Sequence, residues 1–423
     1  MNYTKKKKDE YNIHFIENKG FHTLEIRVLF TSVVSKEKLT MHNMITDILT
    51  YATCKYPTRR DLLHKCQELY SLFPIGGCRK YGNYLLTTFG ISILDSMYIN
   101  QDNIIDNIEL IKEILFNPLS NGNKFDDKLF ELVKKDQLAE TRTIKEQPRL
   151  LCNYNLMKKM SEDENFALTG YSDLDVLEHI TNEMLYKEYQ NMLENSKIDI
   201  FVSGNIKNIP KIEEAIMKNF IFHNKFQSLP NPYFIHKNKK RHANVFVEAF
   251  PYMQSKISIG YKCFNLNLDE NRFIINLLNS ILGGGSDSML MKEIREEKTL
   301  CYYIGSYINK LDNILVINSG IEKENYEKVL ELVEEIFNKL RNGKFTKQAL
   351  NNAKMEYLME LERITENNRS IIDYYYGREV FNSLDVEKRR EKIAKFTKDD
   401  VMKLANKIHL DTIYYLKGDL WKQ

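Results

Sequence analysis

The chain has no run approaching the ~20 apolar residues of a membrane-spanning helix, no marked excess of charge, no C-x-x-C and no phosphate-binding glycine signature. Each absence removes a class of function. The start, MNYTKKKKDEYNIHF, is basic but is followed by no apolar run, so it reads as neither a signal peptide nor an anchor, and a cytoplasmic protein with no membrane partner is expected. Against 61 basic residues stand 58 acidic ones, a formal net charge of +3, which calls for no nucleic-acid partner. Six scattered cysteines (Cys54, Cys66, Cys78, Cys152, Cys263, Cys301) argue against a disulfide framework and a thiolate zinc knuckle, and point to reduced, mostly buried thiols. Gly283, Gly284 and Gly285 are followed by no Gly-Lys-Ser/Thr and belong to no G-x-G-x-x-G, which excludes a P-loop and a dinucleotide-binding turn.

What is present is length and repetition. At 423 residues and 43% hydrophobic composition, the chain can bury two or three cores. ITNEMLYKEYQNMLENSKIDIFVSGNI, residues 180–206, has a helical period, then an alternating apolar strand and a Gly turn. FTKDDVMKLANKIHLDTIYYLKGDL, residues 396–420, repeats that plan. Both copies open on a Thr followed by acids, Thr181 with Glu183 and Thr397 with Asp399, as helix N-caps do; both close near a glycine, Gly204 and Gly418. Earlier in each half lies a strand-like run, LEIRVLFTSVV (residues 24–34) and KISIGYKCF (residues 256–264). Between the halves, SLPNPYFIHKNKKRHA (residues 228–243) holds two prolines and a basic run, Lys237, Lys239, Lys240 and Arg241, and reads as an exposed linker. The expected architecture is α+β: two tandem similar domains, residues 1–227 and 244–423, each a sheet covered by helices.

Two stretches carry candidate chemistry. Met41, Met44, Ile45, Ile48 and Leu49 form one apolar helical stripe, leaving Asn43, Thr46 and Asp47 together on another face. An amide is a poor zinc ligand and a threonine hydroxyl no base near neutral pH, so Asp47 alone of the three suits a metal. In NLLNSILGGGSDSMLMKEIREEKTLCYYIGSY, residues 276–307, the three glycines lead into a helix through Ser286 or Ser288. That loop is either a flexible helix entry or a backbone open to a ligand chain. By residue chemistry alone, Arg295 is a surface helix charge and Tyr302 a strand residue with a satisfied hydroxyl. DYYYGREVF, residues 373–381, concentrates aromatics on a helix and reads as core.

With these stretches the chain resembles a half-size bacterial member of the M16 (pitrilysin/insulinase) peptidases, which include the mitochondrial processing peptidase. The resemblance covers most of residues 20–420 and is strongest over 276–321 and the two helix–strand repeats. In active members the first helix carries the inverted zinc motif H-x-x-E-H, two imidazoles and a general-base Glu. Aligned on the following Lys55-Tyr56-Pro57, those positions are Asn43, Thr46 and Asp47, and the family's third ligand falls at Glu140. The resemblance therefore implies no metal held by this chain. His42, one residue earlier, would have Thr46 as its i+4 partner. Arg295 and Tyr302 match a family pair that reaches the substrate carbonyl beside the zinc, where a guanidinium and a phenol stabilise developing oxyanion charge. In LFPIGGCRKYGNYLLTTFGISI, residues 72–93, relatives present an edge strand for substrate β-addition; Gly76, Gly77 and Arg79 stand in place of the usual Asn-Ala, which argues against pairing there.

What the resemblance implies is a non-catalytic subunit of a heterodimer. A homologous H-x-x-E-H chain would hold the zinc, this chain would add Arg295, Tyr302 and the Gly283–Gly285 loop, and the substrate would be a peptide. Bacterial relatives of this size act in peptide processing, including bacteriocin maturation. The alternatives are a structural subunit like the peptidase-derived core proteins of the bc1 complex, and a peptide-binding clamp with no proteolytic role.

Overall fold

The two helix–strand repeats seed two sheets of related plan. The computed structural model describes residues 2–99, 101–161, 166, 168 and 170–419. The first sheet comprises β1 (Asn2–Lys7), β2 (Asn12–Glu17), β3 (Thr23–Val33), β4 (Ile75–Tyr81), β5 (Tyr84–Leu94) and β6 (Lys197–Gly204). Its order is β1-β2-β6-β3-β5-β4. The second comprises β7 (Asn244–Phe250), β8 (Ser255–Cys263), β9 (Cys301–Asn309), β10 (Ile314–Ile321) and β11 (Ile408–Gly418), in the order β7-β11-β8-β10-β9. In each sheet one pair is parallel, β2 with β6 and β7 with β11; every other pair is antiparallel. The fold is α+β, built twice.

The repeated elements form as their sequences dictate. The Thr181 side chain accepts the N–H of Met184 and starts the helix Asn182–Asn195, which feeds β6. In the second copy the Asp400 carboxylate accepts the Thr397 N–H at 2.8 Å, starting the helix Lys398–Ala405 ahead of β11. Gly204 ends β6 with φ +136°, and a Cβ there would lie 2.7 Å from the Thr23 carbonyl oxygen, so only glycine fits.

The chain folds into two compact units that no single cut separates. One contains residues 1–142, 170–232 and 364–381; the other contains 143–169, 233–363 and 382–423. All strands of the first sheet precede the stretch 228–243 and all strands of the second follow it, but two helices are exchanged. Pro148–Met160, from the first half of the sequence, covers one face of the second sheet, where Leu151, Leu156, Met157 and Met160 share a core with Ile314, Val316 and Leu416. Asn368–Phe381, from the second half, joins the first unit: Tyr376 shares a hydrogen bond with Thr31 on β3, and the Ser203 hydroxyl on β6 donates to Asn368. Its Tyr374, Tyr375 and Tyr376 are buried, so the aromatic run is core. Each sheet is thus covered on both faces, and its central strands read as nearly continuous apolar runs.

The stretch expected as an exposed linker is irregular but anchored, up to Pro232 in the first unit, where the Asn83 N–H donates to the Pro232 carbonyl at 2.9 Å, and from Tyr233 on in the second. Phe234 N–H donates to the Leu311 carbonyl at 2.7 Å, His236 is buried against the Asp312 carbonyl, and Lys240 pairs with Asp411 at 2.9 Å. Lys237, Lys239 and Arg241 stay exposed. No helix among the described residues is long and apolar enough to cross a membrane.

Candidate functional site

In the first unit, the helix Lys36–Tyr51 buries Met44, Ile45, Ile48 and Leu49, with Ser35 as its N-cap. Asn43, Thr46 and Asp47 do come together, in a network of neutral donors. The Asn43 amide N–H donates to the Gly170 carbonyl at 3.2 Å and to Ser172 Oγ at 3.1 Å. Ser172 Oγ donates to Gln137 Oε1 at 2.7 Å, and Gln137 Nε2 to Asp47 Oδ2 at 2.6 Å. The Thr46 hydroxyl turns back to the Asn43 carbonyl at 2.8 Å. Loss of surrounding water raises the Asp47 carboxyl above its usual range; the Gln137 hydrogen bond opposes this, while Glu140 and Asp136 add to it.

These residues do not fit zinc. They offer one carboxylate already held by an amide, a second amide that donates outward, and no imidazole. Glu140 lies on the helix Asp127–Thr143, within electrostatic reach of Asp47, but the hydrogen bond to Asp47 comes from Gln137, three residues earlier on the same helix. The family resemblance pointed to Glu140; Gln137 and Ser172 were missed, and only their polar character marked them. His42 is no substitute ligand: Nδ1 bonds Thr87 Oγ1 at 2.6 Å and Nε2 bonds Glu188 Oε1 at 3.1 Å. Among the described residues no group of three or more His, Cys, Asp or Glu could hold a metal ion.

Strand β4 forms one edge of this sheet beside that helix. A Cβ on Gly76 would lie 2.9 Å from the Thr46 carbonyl oxygen and 2.9 Å from Thr50 Cγ2, so glycine there permits close packing. Arg79 on the same strand pairs with Asp373. Because the backbone oxygen cannot step aside, Gly76→Ala is expected to cost about 1–3 kcal/mol, read as a lower denaturant midpoint with an unchanged slope.

The second constellation gathers at β9, an edge of the second sheet. Gly283, Gly284 and Gly285 close a helical run, Glu270–Gly284, whose two ends have wide turns. None of the three has positive φ. They are small for packing instead: a Cβ on Gly283 would meet Ser306 N at 2.9 Å, one on Gly284 would overlap the Asn279 amide, and one on Gly285 would meet the Glu356 carboxylate at 2.9 Å. At this loop the glycines permit close approach, Gly283 onto β9 and Gly284 and Gly285 onto Asn279 and Glu356. Ser288 supplies the carbonyl that accepts Lys292 N–H, and its buried hydroxyl has no hydrogen-bond partner among the described residues.

Arg295 sits in the wide-turned helical segment Met291–Glu296, with Nη1 3.4 Å from Met291 Sδ. Thr299, at φ +51°, turns the chain back into β9. Arg295 is close enough to Cys301 to pull its thiol downward, against the larger upward push of burial. Next to it, Tyr302 is the extra residue of a β-bulge: Gly320 pairs with Tyr303 and Ile321 with Cys301, leaving Tyr302 unmatched and 54% exposed. Its hydroxyl donates to Glu322, whose hydrogen bond and charge raise the phenol's pKa. Glu322 was not anticipated from sequence. In Glu322→Gln the Tyr302 phenol is expected to titrate at lower pH, as ¹³C-tyrosine NMR would show. Burial pushes the Cys66 and Cys152 thiols up to about 11 and those of Cys78 and Cys263 up to about 12, so these four are poor nucleophiles.

Comparison with known proteins agrees with this geometry. Residues 179–357 match the model of the peptidase M16 inactive domain. The chain is 24% identical to the "probable inactive metalloprotease YmfF" of Bacillus subtilis (strain 168), over 99% of this chain and 98% of that protein. A conserved protein from Enterococcus faecalis V583 shares the fold over the whole of both chains, with a TM-score of 0.91 at 22% identity. The structure of a peptidase M16 inactive domain from Pseudomonas fluorescens also covers both chains fully, with a TM-score of 0.78 at 18% identity. Over residues 179–357 the chain is therefore similar to the peptidase M16 inactive domain, and over nearly its whole length to a protein described as a probable inactive metalloprotease.

Proposed function

We propose that the protein is the non-catalytic subunit of a two-chain M16-type zinc endopeptidase that processes peptides, bacteriocin precursors among the candidate substrates. The observation that carries this reading is a contrast between the two sheets. Beside the first, the residues at the zinc positions are tied into a hydrogen-bond network whose donors are neutral. At the second, a guanidinium and a bulged phenol stay exposed at one sheet edge, backed by a glycine loop packed on the same strand.

A homologous partner would supply the H-x-x-E-H zinc site. Arg295 would stabilise the oxyanion as it forms, and Tyr302 would bind the substrate carbonyl after exchanging its bond with Glu322 for one to the peptide. Gly283–Gly285, packed closely on Ser306, Asn279 and Glu356, would hold the loop beside the edge strand where the peptide is bound.

That engaged Tyr302 hydroxyl is also what favours the second reading, a structural or peptide-binding subunit with no part in proteolysis. The two separate when purified chain is mixed with an H-x-x-E-H homologue encoded in the same genome. Cleavage of an unstructured reporter peptide that needs both chains supports the subunit reading. Full cleavage by the homologue alone supports the structural one.

A further inference from the structure

The two sheets differ at one edge. In strand order, β2-β6-β3-β5-β4 of the first sheet matches β7-β11-β8-β10-β9 of the second, with the parallel pair in the same place. The first sheet has one strand more: β1 pairs antiparallel along β2 from Asn2↔Glu17 to Lys7↔Asn12. The second has no counterpart, and among the described residues β7 pairs on one side only.

Side chains follow the same difference. Ile13 and Phe15 on β2 pair with Ile200 and Val202 of β6, and all four are buried in the first core. The matching residues of β7 are Val245 and Val247, paired with Ile413 and Tyr415 of β11, yet they are 54% and 60% exposed. Edge strands are ordinarily blunted against association by lysine, proline or inward charge. β1 follows that rule with Lys5, Lys6 and Lys7. β7, NVFVEAF, has no lysine or proline, and its one carboxylate, Glu248, accepts a hydrogen bond from Tyr414.

The ends of β7 are chemically unlike. Exposed Lys239, Arg241 and His242 lie just before its first residue, and exposed Tyr252 and Met253 just after its last. We infer that β7 is a strand-addition site for an extended peptide of about six residues running antiparallel to it, as β1 runs on β2. That peptide is apolar at alternate positions, which continue the Val245–Val247 stripe. It is acidic at its C-terminal end, which the antiparallel sense brings to Lys239 and Arg241.

Charge argues against the chain's own segments as occupants. β1 of a second copy would bring Lys5–Lys7 to the same basic end. β7 of a second copy would bring Tyr252 and Met253 there, leaving the basic end unmatched. The inference goes beyond the proposed function and needs neither zinc nor a partner subunit, so either can fail without the other.

Fluorescence anisotropy tests it with a labelled Thr-Val-Thr-Val-Thr-Asp-Glu peptide and a twin ending in Lys-Lys. The acidic peptide should bind the full chain about tenfold or more tighter than its twin. Val245→Ser/Val247→Ser should weaken that binding about tenfold, and Lys239→Glu/Arg241→Glu should reverse the preference between peptides. N-methylation of alternate peptide residues should abolish binding, because the ladder hydrogen bonds are lost. All four positions are exposed, and a thermal melt matching the unaltered chain establishes that each variant folds. Equal binding of the two peptides, no binding of the acidic one, or full binding by the Val→Ser variant would overturn the proposal. So would a dimer of the unaltered chain that Val245→Ser/Val247→Ser dissolves, which would assign the edge to a second copy.

Discussion

With a metal-bearing partner supplying the zinc, Arg295→Ala is expected to lower kcat for peptide cleavage by about 10²- to 10³-fold, the usual effect of removing one oxyanion donor. KM should change little, because an interaction made mainly in the transition state is lost from kcat and kcat/KM together. Arg295 is exposed at the end of the Met291–Glu296 segment and its nearest protein partner is a thioether sulfur, so the substitution disturbs no ion pair that holds the fold. Stability should therefore be unchanged within ±0.5 kcal/mol or so. Tyr302→Phe should have a smaller effect in the same direction, because the hydroxyl already spends its proton on Glu322 and gains only the difference between the two acceptors. Steady-state kinetics of the mixed chains, with a melt of each variant, would check both. A variant that loses stability along with activity would point to a structural role for Arg295.

The largest stability effect is expected at Asp199, in the first sheet. His14 and Asp199 are both fully buried, with His14 Nε2 2.9 Å from Asp199 Oδ1; Lys197 pairs with the other oxygen and Asn12 donates at 3.0 Å. Tyr3 on β1 reaches His14 Nδ1 at 2.8 Å and donates to Glu379, so this cluster ties β1, β2 and β6 to the exchanged helix Asn368–Phe381. Burial alone would raise the Asp199 carboxyl, but the His14 hydrogen bond and the Lys197 charge together outweigh it and hold the carboxyl far below its usual range. Asp199→Ala removes the acceptor and leaves its buried partners uncompensated, at a cost of about 3–5 kcal/mol near neutral pH. The pH dependence follows from the depressed native value. The stabilisation is complete above the unfolded-state pKa of about 4 and is lost as pH falls through the native one, so the gap between variant and unaltered chain should close on acidification. Denaturant titrations at pH 7 and at pH 3 would show it; a gap that widens at pH 3 would contradict the assignment.

Patterns within one element could be read from sequence. The apolar stripe of the Lys36–Tyr51 helix and the two Thr-capped helix–strand repeats needed only local spacing, and the structure keeps them. Contacts between distant segments could not. The helix exchange of 148–160 and 368–381 depends on partners such as Tyr376 with Thr31, 345 residues apart, to which no periodicity points. Near Asp47, the family resemblance pointed to Glu140, but helix geometry brings its neighbour one turn back, Gln137, to the carboxylate. At residues 283–285 the sequence left two readings open, because a run of Gly does not distinguish a free backbone from one pressed against Ser306. The spacing from Arg295 to Tyr302 was visible, whereas the bulge that turns Tyr302 outward and its bond to Glu322 depend on pairing with β10.

The most direct test concerns the first helix rather than the second sheet. The isolated chain, saturated with Zn²⁺, desalted and measured by inductively coupled plasma mass spectrometry, should retain far less than one zinc per chain and cleave no unstructured peptide. One zinc per chain together with peptide turnover, both lost in Asp47→Ala, would contradict the claim that Asn43, Thr46 and Asp47 form a metal-incompetent site.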